Sequence, residues 1–215
     1  MFRFVTPNRA RELRKYGARV VDVSSRAPIP YRYLSPFYPH GNIPIPGMKG
    51  KVADSVEGIW QGLKVIGGKL DLSYFIGRGK KRRVKGVQGH LYGDRSLDYR
   101  SARKLIYIPS YRRMVYNAPL AREIALELLN EGLGVEVHLH DVDTNADVED
   151  LRKPLAHASI LATILNENLE VIRQYWADKD FRKEYDGEDT GGKLTYPLAD
   201  VLIQEQRKES VDMDP

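Results

Sequence analysis

The chain contains no cysteine, which excludes a disulfide framework, a thiol nucleophile and any thiolate metal site, and suits a reducing compartment. It also lacks any window near the roughly 18 consecutive apolar residues of a membrane span, and Met1-Phe2-Arg3-Phe4-Val5-Thr6-Pro7 leads into a charged segment rather than a leader-like apolar run. The expectation is a soluble, unexported, cytoplasmic protein with no membrane partner. Two further absences concern chemistry. No G-x-x-x-x-G-K-[ST] or G-x-S-x-G occurs, and Gly77-Arg78-Gly79 lacks the third glycine of a dinucleotide fingerprint.

What is present is a length of 215 residues with 42% hydrophobic content, enough for one good core. We read a single domain at 27–177, preceded by an extension at 1–26 (a short helix over Pro7 to Lys15 and a strand over Arg19 to Val23) and followed by a helical extension with an acidic tail at 178–215. The net charge of +5 favours an anionic partner. The charge is uneven, with Arg78, Lys80, Lys81, Arg82, Arg83 and Lys85 forming a basic run between glycines. That run reads either as a solvated loop or as a phosphate-facing patch.

The most informative stretch is Asp54 to Gly68. Asp54 or Ser55 as cap, Glu57 at capping-box spacing from Asp54, and Gly67-Gly68 as a left-handed stop predict a helix between them. Val56, Ile59, Trp60, Leu63 and Ile66 make its apolar stripe, while Glu57, Gln61 and Lys64 at i, i+4, i+7 stack an acid, an amide and an amine. Gly58 and Gly62 each cost about 0.8–1 kcal/mol relative to alanine inside a helix, so something is expected to approach that backbone closely. Ahead of it, 27–50 is rich in proline and aromatics, too broken for helix and too aromatic for a plain linker, and reads as an ordered loop or hairpin packed on the Glu57 helix.

Further on, two short helices are expected over Asp98 to Tyr107 and Tyr111 to Tyr116, broken at Pro109. A helix over Pro119 to Glu131 ends at Gly132, and a half-buried strand covers Val135 to Leu139. Helices follow over Pro154 to Asn166, Leu169 to Trp176 and Pro197 to Arg207. The Asp141 to Asp147 loop lacks the glycine and the closing glutamate of a calcium loop, and reads as a cap or a pocket rim. His138 and His140 read as one strand face rather than a metal site, so no metal is expected.

Leu34-Ser35-Pro36-Phe37-Tyr38-Pro39 followed by Ser55-Val56-Glu57-Gly58-Ile59-Trp60-Gln61-Gly62-Leu63-Lys64 resembles the signature of the NADAR or YbiA-like N-glycosidases, an F-S-N-F-Y-like segment before a helix reading S-x-E-x-x-x-Q-x-x-K. The chain departs from it at Pro36, where the family has asparagine, and lacks the tryptophan-glycine pair after the downstream acid. The resemblance implies a mainly α (α+β) fold, a single multihelical domain of the YbiA-like type with a small β element. It also implies hydrolysis of the ribose–nitrogen bond of an ADP-ribose-like or ribosylamino-pyrimidine phosphate compound, such as ADP-ribosylated guanine. Glu57 and Lys64 then stand at the catalytic positions, Lys64 as a Schiff-base amine, and Gln61 at the intervening glutamine. Ser35, Phe37, Tyr38, Trp60 and Asp141 are substrate-binding candidates. Arg82, Arg83, Arg103 and Lys104 are phosphate-binding candidates. No cofactor is implied, and the partner is a small nucleotide-like molecule or a nucleic acid carrying it. The reading from a different class is a non-catalytic nucleotide or nucleic-acid binder with a basic patch.

Overall fold

In the computed structural model, which describes residues 1–187 and 196–212, the chain opens with β1 (Phe2–Phe4), α1 (Pro7–Lys15) and β2 (Arg19–Asp22). Thr6 caps α1 by accepting from the Arg9 N–H, with Pro7 pre-set for the first turn. The first 26 residues, set apart above as an extension, supply two strands of a three-stranded sheet ordered β1-β8-β2. Their Phe2, Val21 and Val23 share one core with Leu128, Leu139 and Leu161.

The proline-rich stretch is ordered, with a 3-10 turn at Tyr31–Leu34 and a hairpin of β3 (Ile43–Pro44) and β4 (Val52–Ala53). α2 then spans Val56–Gly62, and β5 (Lys64–Ile66) follows at once. The helix expected up to the Gly67-Gly68 stop thus ends four residues early. Val65 and Ile66 are β-branched, and Lys64 and Val65 pair antiparallel with His90 and Gly89 of β6 (Val87–Tyr92), so strand pairing overrides the helical period. β7 (Arg95–Leu97) completes this second three-stranded sheet.

α3 (Tyr99–Ala102), a π turn (Arg103–Tyr107) and α4 (Ile108–Asn117) form one continuous helix, so Pro109 does not break it. Proline is tolerated because the wider π turn ends just before it and places it in the first turn of the α-helical continuation. α5 runs over Pro119–Gly134, past Gly132, which is a packing glycine: a Cβ there would lie 2.4 Å from the Phe2 ring. β8 (Val137–His140) is the central, parallel-paired strand, and all four of its residues are buried rather than alternating. α6 is a single helix over His157–Ala177 where two were expected, and its Asn166 brackets Phe2 by bonding its N–H and its carbonyl, each at 2.8 Å.

α7 (Lys179–Gly187), unforeseen in the sequence, and α8 (Pro197–Asp212) close the chain; Leu198, Ala199, Leu202 and Ile203 of α8 enter the main core. The end of the acidic tail, Met213 to Pro215, lies outside the described residues. The architecture is an α+β mix in which, among the described residues, helices outweigh three small sheets. Among the described residues no helix is long and apolar enough to cross a membrane.

Candidate active site

Ser55 caps α2, its Oγ accepting from the Gly58 N–H at 3.1 Å. Asp54 turns away to accept from the Gly77 N–H at 2.5 Å, so the capping box does not form and Glu57 is left to point inward. The Glu57 N–H binds the Pro36 carbonyl at 2.8 Å, fixing the aromatic segment to the first turn. The two helix glycines meet the close neighbour they implied, a 3-10 turn over Leu72–Phe75. A Cβ on Gly58 would lie 2.5 Å from the Tyr74 carbonyl oxygen, and one on Gly62 would lie 2.3 Å from the Phe75 ring.

Glu57, Trp60, Gln61 and Lys64 wall one side of a cavity of about 260 Å³. Within it Gln61 Nε2 donates to Glu57 Oε1 at 2.7 Å, and Lys64 Nζ donates to Gln61 Oε1 at 2.7 Å. Lys64 takes part from the first position of β5, not from a second helical turn, yet the acid–amide–amine order survives. Lys81, Arg82 and Arg83 line the mouth. The Arg82 N–H shares Gln61 Oε1 at 3.1 Å, and Gly79 seats the strap directly on Glu57, where a Cβ would lie 2.6 Å from that of the glutamate. The basic run therefore presents an inner edge to the cavity, while Lys80, Lys81, Arg83 and Lys85 are exposed to solvent.

Burial shifts both central groups toward neutrality. Glu57 is pushed up to about 7 by desolvation, against the pull of the Gln61 hydrogen bond and of the Lys81 and Lys64 charges. Lys64 is lowered by desolvation, against Glu57 and with the help of the Arg82 and Lys81 charges. Across the cavity Asp143 is raised, again chiefly by burial. Tyr99, Arg103 and Tyr107 also line the cavity, next to Trp60, whose ring those of Tyr99 and Tyr107 meet edge-on at 5.3 and 5.5 Å.

Not every expected residue reaches this cavity. Phe37 lines it, but Ser35 and Tyr38 line a separate hollow of about 100 Å³, where Ser35 accepts from the Phe37 N–H and Tyr38 packs on Tyr33 and His40. Asp141 is fully buried and committed to structure: it accepts from the Ala158 N–H at 3.0 Å, the Asp143 N–H at 2.5 Å and His157 Nδ1 at 2.8 Å. The acid that faces the cavity is Asp143, two residues on.

Arg103 reaches the wall with its guanidinium spent on the carbonyls of Val148, Asp150 and Lys153, and Lys104 points to the surface and pairs with Glu149, so neither offers a free cation. Among the described residues no cluster of His, Asp and Glu is placed to hold a metal ion. Lys81 lines the cavity as part of the basic run read as a phosphate-facing patch, but sequence reasoning missed Tyr99, Tyr107, Asp143 and His157 as lining residues. A signal existed for the aromatic pair, since Tyr99, Arg103 and Tyr107 stand four residues apart inside the expected helix over Asp98 to Tyr107, but on a plain α-helix that spacing drifts off one face, and only the π turn realigns it.

No curated protein and no solved structure matches this chain. Residues 7–161, a span that includes every residue lining the cavity, match the model of a family of unknown function, DUF6939, and the chain belongs to that family.

Proposed function

We propose that the cavity is the active site of an N-glycosidase that hydrolyses the ribose–nitrogen bond of an ADP-ribose-like or ribosylamino-pyrimidine phosphate compound. Glu57 and Lys64 are the catalytic pair, on a scaffold of the YbiA-like type in a cytoplasmic setting. The observation that carries this reading is the hydrogen-bonded chain Glu57–Gln61–Lys64, its acid and amide buried and its amine half-buried, in the cavity that Trp60 also lines. Burial leaves the acid able to hold a proton at neutral pH and eases the amine toward its free form. Those are the two states the chemistry requires.

In this route protonated Glu57 gives its proton to the base nitrogen as the C1′–N bond breaks, and the free Lys64 amine bonds to C1′. The ring oxygen takes a proton from the resulting ammonium, and the sugar opens to a protonated imine on Lys64. Water then adds to the imine carbon and the aldehyde sugar departs, leaving a Lys64 ammonium that returns its proton to Glu57. Gln61 holds both groups in line, and Trp60 keeps water from the amine. Lys81, Arg82 and Arg83 at the mouth suit a phosphate.

A second reading is supported by the exposed cations Lys80, Lys81, Arg83 and Lys85 beside the opening: a binder of nucleotides or nucleic acid without turnover. Incubation with a panel of ribosylated bases, including ADP-ribosylated guanine free and in DNA or RNA, decides between them. Released base detected by mass spectrometry, and lost in Lys64→Ala, supports the hydrolase. Tight, salt-dependent binding with no release supports the binder.

A further inference from the structure

Tyr99, Arg103 and Tyr107 lie four residues apart, and all three line the cavity. A four-residue step overruns a 3.6-residue turn by about 40°, so the third member of such a row on a plain α-helix would stand about 80° from the first. The π turn over Arg103–Tyr107 takes more residues per turn and cancels the drift. Tyr107 is thereby returned to the side from which Tyr99 faces Trp60.

The three residues are not equivalent there. Arg103 is occupied by backbone carbonyls, and Tyr99 stacks on the Arg103 guanidinium at 4.9 Å. Tyr107 has its ring packed against the core, while its hydroxyl has no hydrogen-bond partner among the described residues. Burial, and then the neighbouring Glu57, hold its phenol well above its ordinary value of 10, so it stays a donor.

A ligand group placed between Tyr107 and Asp143, which line the same cavity, must accept a hydrogen from the phenol and give its own to the Asp143 carboxylate. A hydroxyl does both, whereas a phosphate or carbonyl oxygen has no hydrogen to give and is repelled by an ionised acid. We propose that Tyr107 is a substrate-contacting residue whose phenol donates to a sugar hydroxyl held between it and Asp143. The inference rests on the glycosidase reading of the same cavity, and it places the sugar at the acidic depth with the phosphate at the basic mouth.

Tyr107→Phe tests it, because it removes a hydroxyl that no described residue binds and leaves the ring packing in place. The full chain is compared with the variant in two measurements, calorimetric titration with ribose 5-phosphate and kcat on whichever ribosylated base the wild type cleaves. The expected result is roughly tenfold weaker sugar-phosphate binding, the worth of one neutral hydrogen bond, together with a lower kcat and an unchanged Tm. Binding and kcat equal to wild type, or no binding of ribose 5-phosphate by the wild type, overturn the assignment. Glu57→Gln keeps the two ideas separable. If it abolishes turnover while Tyr107→Phe changes nothing, the glycosidase stands and Tyr107 has no such role. If no base is cleaved at all, the glycosidase falls and the titration alone decides whether Tyr107 binds a sugar.

Discussion

Trp60 stacks on His90 with ring centroids 4.0 Å apart, and neither ring nitrogen of His90 has a hydrogen-bond partner among the described residues. His90 is fully buried on β6, opposite Lys64 in the antiparallel pair. An unsatisfied buried polar group costs about 1–3 kcal/mol, so His90→Phe, which keeps an aromatic ring against Trp60, is expected to raise stability by about 1 kcal/mol in denaturant unfolding. The same substitution changes the acid response. Burial, helped by the Lys64 charge, lowers His90 from 6.5 to about 4, so the unfolded chain binds the extra proton first and stability falls as pH drops from 6.5 toward 4. In His90→Phe that part of the slope should disappear from Tm plotted against pH.

Glu57→Gln and Lys64→Ala are each expected to reduce release of the base at least 100-fold, within the range of a lost general acid or nucleophile, with far-ultraviolet circular dichroism unchanged. The pH profile adds a finer check. The active form needs Glu57 protonated and Lys64 unprotonated, so log kcat/KM should show a break near pH 7 that belongs to Glu57 and a second that belongs to Lys64. A profile of wild type with no break near 7 would remove Glu57 from the proton transfer.

Asp141 and His157 form a buried pair at 2.8 Å that also ties β8 to the start of α6, while His157 Nε2 meets the Val23 carbonyl at 2.8 Å. Burial opposes both charges, but each partner prevails: His157 is raised above 6.5 and Asp141 is lowered below 3.8. The stability this contributes should be lost as pH rises through the raised His157 value, and lost again as pH falls through the lowered Asp141 value. Asp141→Asn should cost about 3–5 kcal/mol, the penalty for leaving one partner of a buried pair alone, and should flatten both limbs of the Tm curve.

Arg103 holds the loop that carries Asp143 by its backbone alone, through the carbonyls of Val148, Asp150 and Lys153. Lysine has no planar fork to reach them together. Arg103→Lys is therefore expected to lower stability by about 2–3 kcal/mol and to open the loop to limited proteolysis between Val142 and Lys153, detectable by mass spectrometry of the fragments.

Gly58→Ala tests the close approach on α2. Helix propensity favours alanine by about 0.8–1 kcal/mol, yet the new Cβ would meet the Tyr74 carbonyl at 2.5 Å, and backbone cannot swing aside. The variant should be less stable by about 1–3 kcal/mol in denaturant titration, the usual penalty of overpacking.

The cap at Ser55, the stop of α1 after Lys15, the inward stripe of α5 and the glycines that announce a close neighbour were readable because each depends on residues within one or two turns. So was the order acid, amide, amine, since three neighbouring side chains of that chemistry stay neighbours whether the chain is helix or early strand. What needed the fold depends on partners far along the chain. Lys64 left the helix because β6 pairs with it from 26 residues away. β8 lost its alternation because α1 and α6, from opposite halves of the chain, pack against it. Asp143 replaced Asp141 at the cavity because His157 and the first turn of α6 claimed the latter. Local hydrogen bonds and periodicity are written within a few residues, whereas burial, and with it the state of every proton in the cavity, is set only when distant segments exclude water together.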